Sequence, residues 1–181
     1  VGDIRLLSLT IRLNDEECRT MVAMHIPEPG PLPLDKITAD LRRLAGDLAD
    51  RFTGVATVAQ DSDTGVVEGA DVVPTAQGAV RVWWMHSAED IIVGVGDAPG
   101  WELPRTAASV EVVRAILDAA AAGLVEVGKG RGITTYRVRT PDGEAREDTH
   151  EGFLGVLLTM PWKARLRWEN ATPFAAGLTH N

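Results

Sequence analysis

Few residues in this sequence have the types and spacing needed for covalent, acid–base or metal chemistry. The four histidines, His25, His86, His150 and His180, fall in no HxH, HxxxH or HExxH pattern, so no pair is set side by side to grip a metal ion. Cys18 is the only cysteine. It cannot close a disulfide within the chain, and it excludes a zinc site built from several thiolates. No serine occupies a GxSxG elbow, and no pair of carboxylates is singled out as a glycosidase dyad. His150 and Glu151 are neighbours, and they read as a cap at a helix start rather than as an acid–base pair. The expectation is a chain with no catalytic residue, no cofactor and no metal.

Two glycine-rich runs could approach a phosphate. Gly94-Val95-Gly96-Asp97-Ala98-Pro99-Gly100 has the wrong spacing for a dinucleotide loop and a proline where a helix should open, so it reads as a turn after a strand. Gly128-Lys129-Gly130-Arg131-Gly132 sets two cations on a flexible backbone. Such a run can cradle a phosphate, but it lacks the GK[ST] ending of a nucleotide-hydrolysing loop. Two readings stay open: a hairpin loop with solvated charges, or a mobile finger that enters a partner's pocket. A second polar loop is Asp61-Ser62-Asp63-Thr64-Gly65. The candidate partner-binding residues are therefore Lys129, Gly130, Arg131 and Gly132, with Asp61, Asp63 and Gly65. Trp83 joins them, because adjacent Trp83 and Trp84 on a strand must face opposite sides and tryptophan is enriched where binding energy concentrates.

The elements that must position these residues follow from periodicity. Leu7, Leu9, Ile11 and Leu13 alternate with polar residues, as do Cys18, Thr20, Val22, Met24 and Ile26, and the polar run Asn14-Asp15-Glu16-Glu17 joins them. Residues 4–26 thus read as a hairpin, too small to be stable alone. Residues 27–33 form a stiff proline-rich linker. A helix capped by Asp35 carries Ile37, Leu41, Leu44, Leu48 and Phe52 on one face and stops at Gly54. Strands are expected over 55–59, 79–86 and 91–95. Trp101 to Arg105 leads into a second helix, capped by Thr106, with Val110, Val113, Ile116, Leu117 and Ala120 buried and Gly123 closing it. Further strands fall at 124–127, 133–140, 145–149 and 163–169, a turn at Pro141-Asp142-Gly143-Glu144, and a short helix at 151–158. The expected fold is α+β: a mostly antiparallel sheet of about eight strands built from hairpins, with two long helices and one short one packed on it. The body spans 34–170 of a single domain, with a loose tail at 171–181.

At 181 residues the chain can bury about 70% of its unfolded surface and needs no metal or disulfide staple. Residues 1–100 hold 16 acids and 8 bases, and residues 101–181 hold 10 of each. An acidic body repels phosphate backbones, which argues against nucleic acid, and steers basic partners. The longest apolar run, 112–127, is broken by Arg114, Asp118, Gly123 and Glu126 and is unsuited to a bilayer. With no signal peptide and a lone cysteine, the expected location is cytoplasmic.

From Trp101 to Phe174 the order of motifs is Trp101-Glu102-Leu103, a helix, Leu124-Val125-Glu126-Val127, a glycine loop, and Thr140-Pro141-Asp142-Gly143. A segment with Thr149, then Glu151-Gly152-Phe153-Leu154-Gly155, Met160-Pro161-Trp162 and a basic strand complete it. This order resembles actinobacterial immunity proteins of polymorphic-toxin systems, similar in role to the immunity factor of tuberculosis-necrotizing-type NAD glycohydrolase toxins. The resemblance covers about two-fifths of the chain. It implies a non-catalytic protein that binds a cognate toxin, basic or with a nucleotide pocket, and occludes its active site. Two other readings are a secretion chaperone or adaptor, which would use an exposed sheet edge, and an enzyme or ligand binder with a site near Trp84, His86 and Trp101.

Overall fold

The computed structural model describes residues 30–61, 65–130, 132–140, 143, 145–151 and 166–175. The expected hairpin at 4–26 and the remainder of the short helix beyond Glu151 lie outside the described residues.

Helix α1 (Lys36–Arg51) begins where expected, with the Asp35 carboxylate accepting the Thr38 N–H. Its Leu41, Leu44 and Leu48 are buried, and the chain reverses at Gly54 with φ +81°. Helix α2 (Ala107–Ala121) is capped by Thr106, which accepts from the Ser109 N–H, and is closed by Gly123 at φ +75°. Its Val110, Val113, Ile116, Leu117 and Ala120 are all buried. The two helices touch through an ion pair from Arg51 to Asp118 at 2.6 Å.

The nine strands among the described residues form two antiparallel sheets rather than one. Strands β1 (Ala56–Asp61), β2 (Glu68–Pro74), β3 (Val82–His86), β4 (Asp90–Val95) and β5 (Trp101–Pro104) make a five-stranded meander in chain order. Strands β6 (Val125–Gly130), β7 (Ile133–Arg139), β8 (Ala145–Glu151) and β9 (Arg167–Asn170) make the second sheet, in the order β8-β7-β6-β9. Ala70, Val72, Val82, Trp84, Ile91 and Val93 of the first sheet join the helices in one core. The same core takes Val125, Val127, Tyr136 and Val138 from the second sheet.

Several expectations are corrected. Trp101 to Arg105 does lead into α2, and its residues Trp101–Pro104 also form the edge strand β5, which was not expected. Gly128 to Gly130 is not loop but the end of β6, because its residues pair in register with Thr135, Thr134 and Ile133. His150 and Glu151 do not open a helix; they pair with Thr134 and Ile133 as the end of β8. The chain is not loose from Ala171. Ala171 N–H donates to Val125 O at 2.7 Å, Phe174 N–H donates to Ala121 O at 3.1 Å, and the Phe174 ring is buried edge-on against Phe52. The proline-rich segment does not run free into the body either. Leu32 is buried, its N–H donates to Gly65 O at 2.9 Å, and Pro33 O accepts the Thr38 hydroxyl.

Candidate interaction surfaces

Strand alternation assigns each residue of the first sheet to one of two faces. Val82, Trp84 and His86 point inward to the helices, and Trp83 and Met85 point outward. The Trp83 ring lies across Gly94, its partner in register on β4, where a Cβ would collide with it; its indole N–H donates to Gly96 O at 3.3 Å. Val73 and Met85, on the same outer face, are 45% and 41% exposed. Together with Val67 and Asp61, Trp83 and Met85 line a groove of about 590 Å³. The structure thus brings two of the expected residues, Asp61 and Trp83, to one surface. Gly65, with φ +67°, sits in the connection between β1 and β2. Asp63 lies outside the described residues.

The inner face ends in a second, smaller cleft of about 180 Å³, where Arg42 and Glu68 flank His86. The Arg42 guanidinium grips Glu68 with two hydrogen bonds, one of them 2.8 Å. This holds the Glu68 carboxyl below its ordinary range. His86 is 2% exposed, and its Nδ1 has no hydrogen-bond partner. Burial, reinforced by the positive charge of nearby Arg105, pushes its pKa down to about 4, so the imidazole is neutral at pH 7. Arg105 itself reaches Asp35 at 2.7 Å and the Thr38 hydroxyl at 2.9 Å, which locks the start of α1 to the end of β5.

The sign of the pH effect follows. Between pH 6.5 and about 4 the unfolded chain takes up a proton on this histidine and the folded chain does not. Stability therefore falls as pH drops through that window and is fully retained above it. The histidine's share across the whole window is about 3 kcal/mol. Urea unfolding of the wild type and His86→Gln at pH 7 and pH 5 checks it: the drop between the two pH values should be smaller in the variant. The Asp35, Asp40 and Glu68 carboxyls, all held below their ordinary values, lose their contributions only as the pH falls further.

On the second sheet, one face is polar and built around a tryptophan. Trp168 on β9 is 37% exposed and lies on Gly128, its partner in register on β6, where a Cβ would come within 3.0 Å of the ring. The Arg137 guanidinium covers the same ring with its carbon 4.4 Å from the centroid. Arg137 is held in turn by Glu147 at 2.9 Å and Glu126 at 3.3 Å, and Glu126 also takes Arg139 at 3.0 Å. At the end of this sheet Lys129 is exposed, Gly130 closes β6, and Gly132 turns the chain with φ +71°. Arg131 lies outside the described residues. The glycine run is therefore a hairpin end stiffened by strand pairing, and it belongs to a different sheet from Asp61.

Sequence reasoning passed over Met85, Arg137 and the partnership of Trp168 with Gly128. The available signal was a glycine inside each strand, which marks a place where something comes close; both Gly94 and Gly128 face a tryptophan across the strand pair. Trp84 and His86 do line one cleft, as the ligand-binder reading expected, but Trp101 does not join them: its indole N–H donates to Glu147 O at 3.2 Å. Among the described residues no group of three or more His, Cys, Asp or Glu could hold a metal ion, and no helix is long and apolar enough to cross a membrane. No family model, curated protein or solved structure matches the chain.

Proposed function

We propose that this chain is an inhibitor of the immunity type, which binds a toxin domain in the cytoplasm of the producing cell and blocks its active site, an NAD-hydrolysing toxin being the first candidate. The observation that carries the reading is the preorganised face of the second sheet. Trp168 is exposed yet fixed between Gly128 and Arg137, and Arg137 is fixed by two carboxylates. Tryptophan and arginine are the residues in which interface energy concentrates, and side chains already held in place lose little freedom on binding. The hairpin end at Lys129 to Gly132 stands on the same sheet. A narrow, paired hairpin is a stiffer plug for a dinucleotide pocket than a floppy loop. The acidic balance of residues 1–100 adds steering toward a basic partner.

A small ligand in the cleft beside His86 draws less support. The cleft beside His86 is about 180 Å³, below the roughly 300–1,000 Å³ of typical ligand pockets, and the Arg42–Glu68 pair already satisfies the charges at it. The test is recovery of the partner from the native host with tagged protein, followed by calorimetric titration with the toxin domain so recovered. Wild type should bind at one to one. Trp168→Ala should weaken binding by about thirtyfold or more while costing only about 1 kcal/mol of stability, since the ring is partly exposed and sits on an edge strand. Equal affinity of the two proteins would remove this face from the account.

A further inference from the structure

The two sheets share one arrangement, a tryptophan lying on a strand glycine beside a carboxylate. On the second sheet Trp168 lies on Gly128, the Arg137 guanidinium covers the ring at 4.4 Å, and Glu147 and Glu126 hold that guanidinium. On the outer face of the first sheet Trp83 lies across Gly94, and Asp71 stands beside the ring as the partner of Trp83 in register on β2. Among the described residues, the rings covered by a guanidinium are those of Phe52 and Trp168, and Trp83 is not one of them. The charges of this face favour a cation. Strand alternation turns Asp61, Asp71, Asp90 and Glu102 outward, with Arg81, just before β3, as the cation beside them. Arg81 Nε is 3.6 Å from Asp71 Oδ1, an ion pair without a hydrogen bond, and that oxygen is buried with no hydrogen-bond partner among the described residues. The Asp71 side chain is still 35% exposed, so its carboxylate can accept from a second cation.

We propose that the groove on this face is a receptor site for an arginine side chain presented by a protein partner, with the guanidinium stacked on Trp83 and bonded to the Asp71 carboxylate. The groove, about 590 Å³, is lined by Asp61, Asp71, Trp83, Met85 and Val67. It thus offers the two surfaces an arginine needs. Its apolar stem lies along Met85 and Val67, and its charged head meets the ring and the carboxylates. Arginine fits better than lysine, because the guanidinium is planar, stacks on an aromatic face, gives up its water more readily and forks onto a carboxylate. The outward acids steer a basic segment to the groove and turn away phosphate-bearing ligands. The arrangement of Trp168, Arg137, Glu126 and Glu147 shows the same recognition made within the chain. This inference does not rest on the toxin-inhibitor reading, which uses the other sheet.

Nuclear magnetic resonance titration of the full chain with N-acetyl-arginine methylamide tests it, in about 150 mM salt to screen diffuse attraction. The expected result is a saturable shift of the Trp83 indole N–H and Met85 methyl signals, with a Kd on the order of 1–10 mM for a single side chain. The lysine analogue should bind about threefold or more weakly, since an ammonium neither stacks nor forks. Asp71→Asn, at a partly exposed position, should weaken binding of the arginine probe about fivefold or more while the rest of the spectrum stays as in the wild type. The comparison of the two analogues uses the wild type alone, so it decides the matter even where the variant folds poorly. No saturable shift at Trp83 up to about 50 mM probe would overturn the proposal. Equal binding of the two analogues, or unchanged affinity in a folded Asp71→Asn chain, would each overturn it. A shift centred on Trp168 instead would overturn it in favour of the second sheet.

Discussion

Phe174→Ala is expected to cost about 3–5 kcal/mol of folding stability, the largest loss from any single side chain discussed here. The ring is fully buried and meets Phe52 edge-on, with centroids 5.3 Å apart. Phe52 ends α1, and the Phe174 N–H is bonded to Ala121 at the end of α2, so one side chain closes the seam where both helices finish. Backbone bonds along Ala171 and Thr172 hold the segment in place and would resist collapse into the space left behind. The cavity would therefore remain largely open, which puts the cost toward the upper part of the range. Urea unfolding checks it. A loss under 1 kcal/mol would mean that the segment after β9 is an appendage and not part of the core.

The second large effect is expected at Gly96. Its φ of +59° lies in the left-handed region, and a Cβ there would overlap the ring of Tyr136. Gly96 follows β4 of the first sheet and Tyr136 belongs to β7 of the second, so this is a point where the two sheets meet. Burial raises the Tyr136 phenol's pKa, against a smaller lowering by the backbone of Asp97 beside it. Gly96→Ala carries a backbone cost of about 1–2 kcal/mol and an overpacking cost of about 1–3 kcal/mol. The expected loss is about 3 kcal/mol. The two causes separate in a double-mutant cycle: with Tyr136→Val in place, the overpacking part should vanish and Gly96→Ala should cost only about 1 kcal/mol. Equal costs in both backgrounds would show that the sheets do not bear on one another here.

These two sites also mark how far the sequence could be read. Both long helices were legible, because Leu41, Leu44 and Leu48, and Val110, Val113 and Leu117, recur at helical spacing between a cap and a glycine. The antiparallel α+β class was legible from alternation such as Val82, Trp83, Trp84, Met85, which also placed the two tryptophans on opposite faces. The division into two sheets was not, since strand pairing depends on contacts far apart in sequence. Strand β5 was missed because four residues ending in proline carry no clear period. The end of β6 was read as loop because glycine weakens a strand; Trp168, supplied from 40 residues further on, repairs it. Phe174 was read as tail because no repeat surrounds it, and only the closed helix seam explains its burial.

The candidate surface was legible in part. The sequence nominated Trp83 and the Lys129 to Gly132 run but gave no means of seeing that Arg137 and Trp168 stack, since 31 positions separate them and the contact exists only once β6 lies between β7 and β9.

The most direct test of partner inhibition is a titration, with this protein, of NAD cleavage by a toxin domain that tagged protein recovers from the native host. The account predicts a linear loss of activity that reaches completion at one equivalent of the protein. Full activity retained in tenfold excess of folded protein would contradict it.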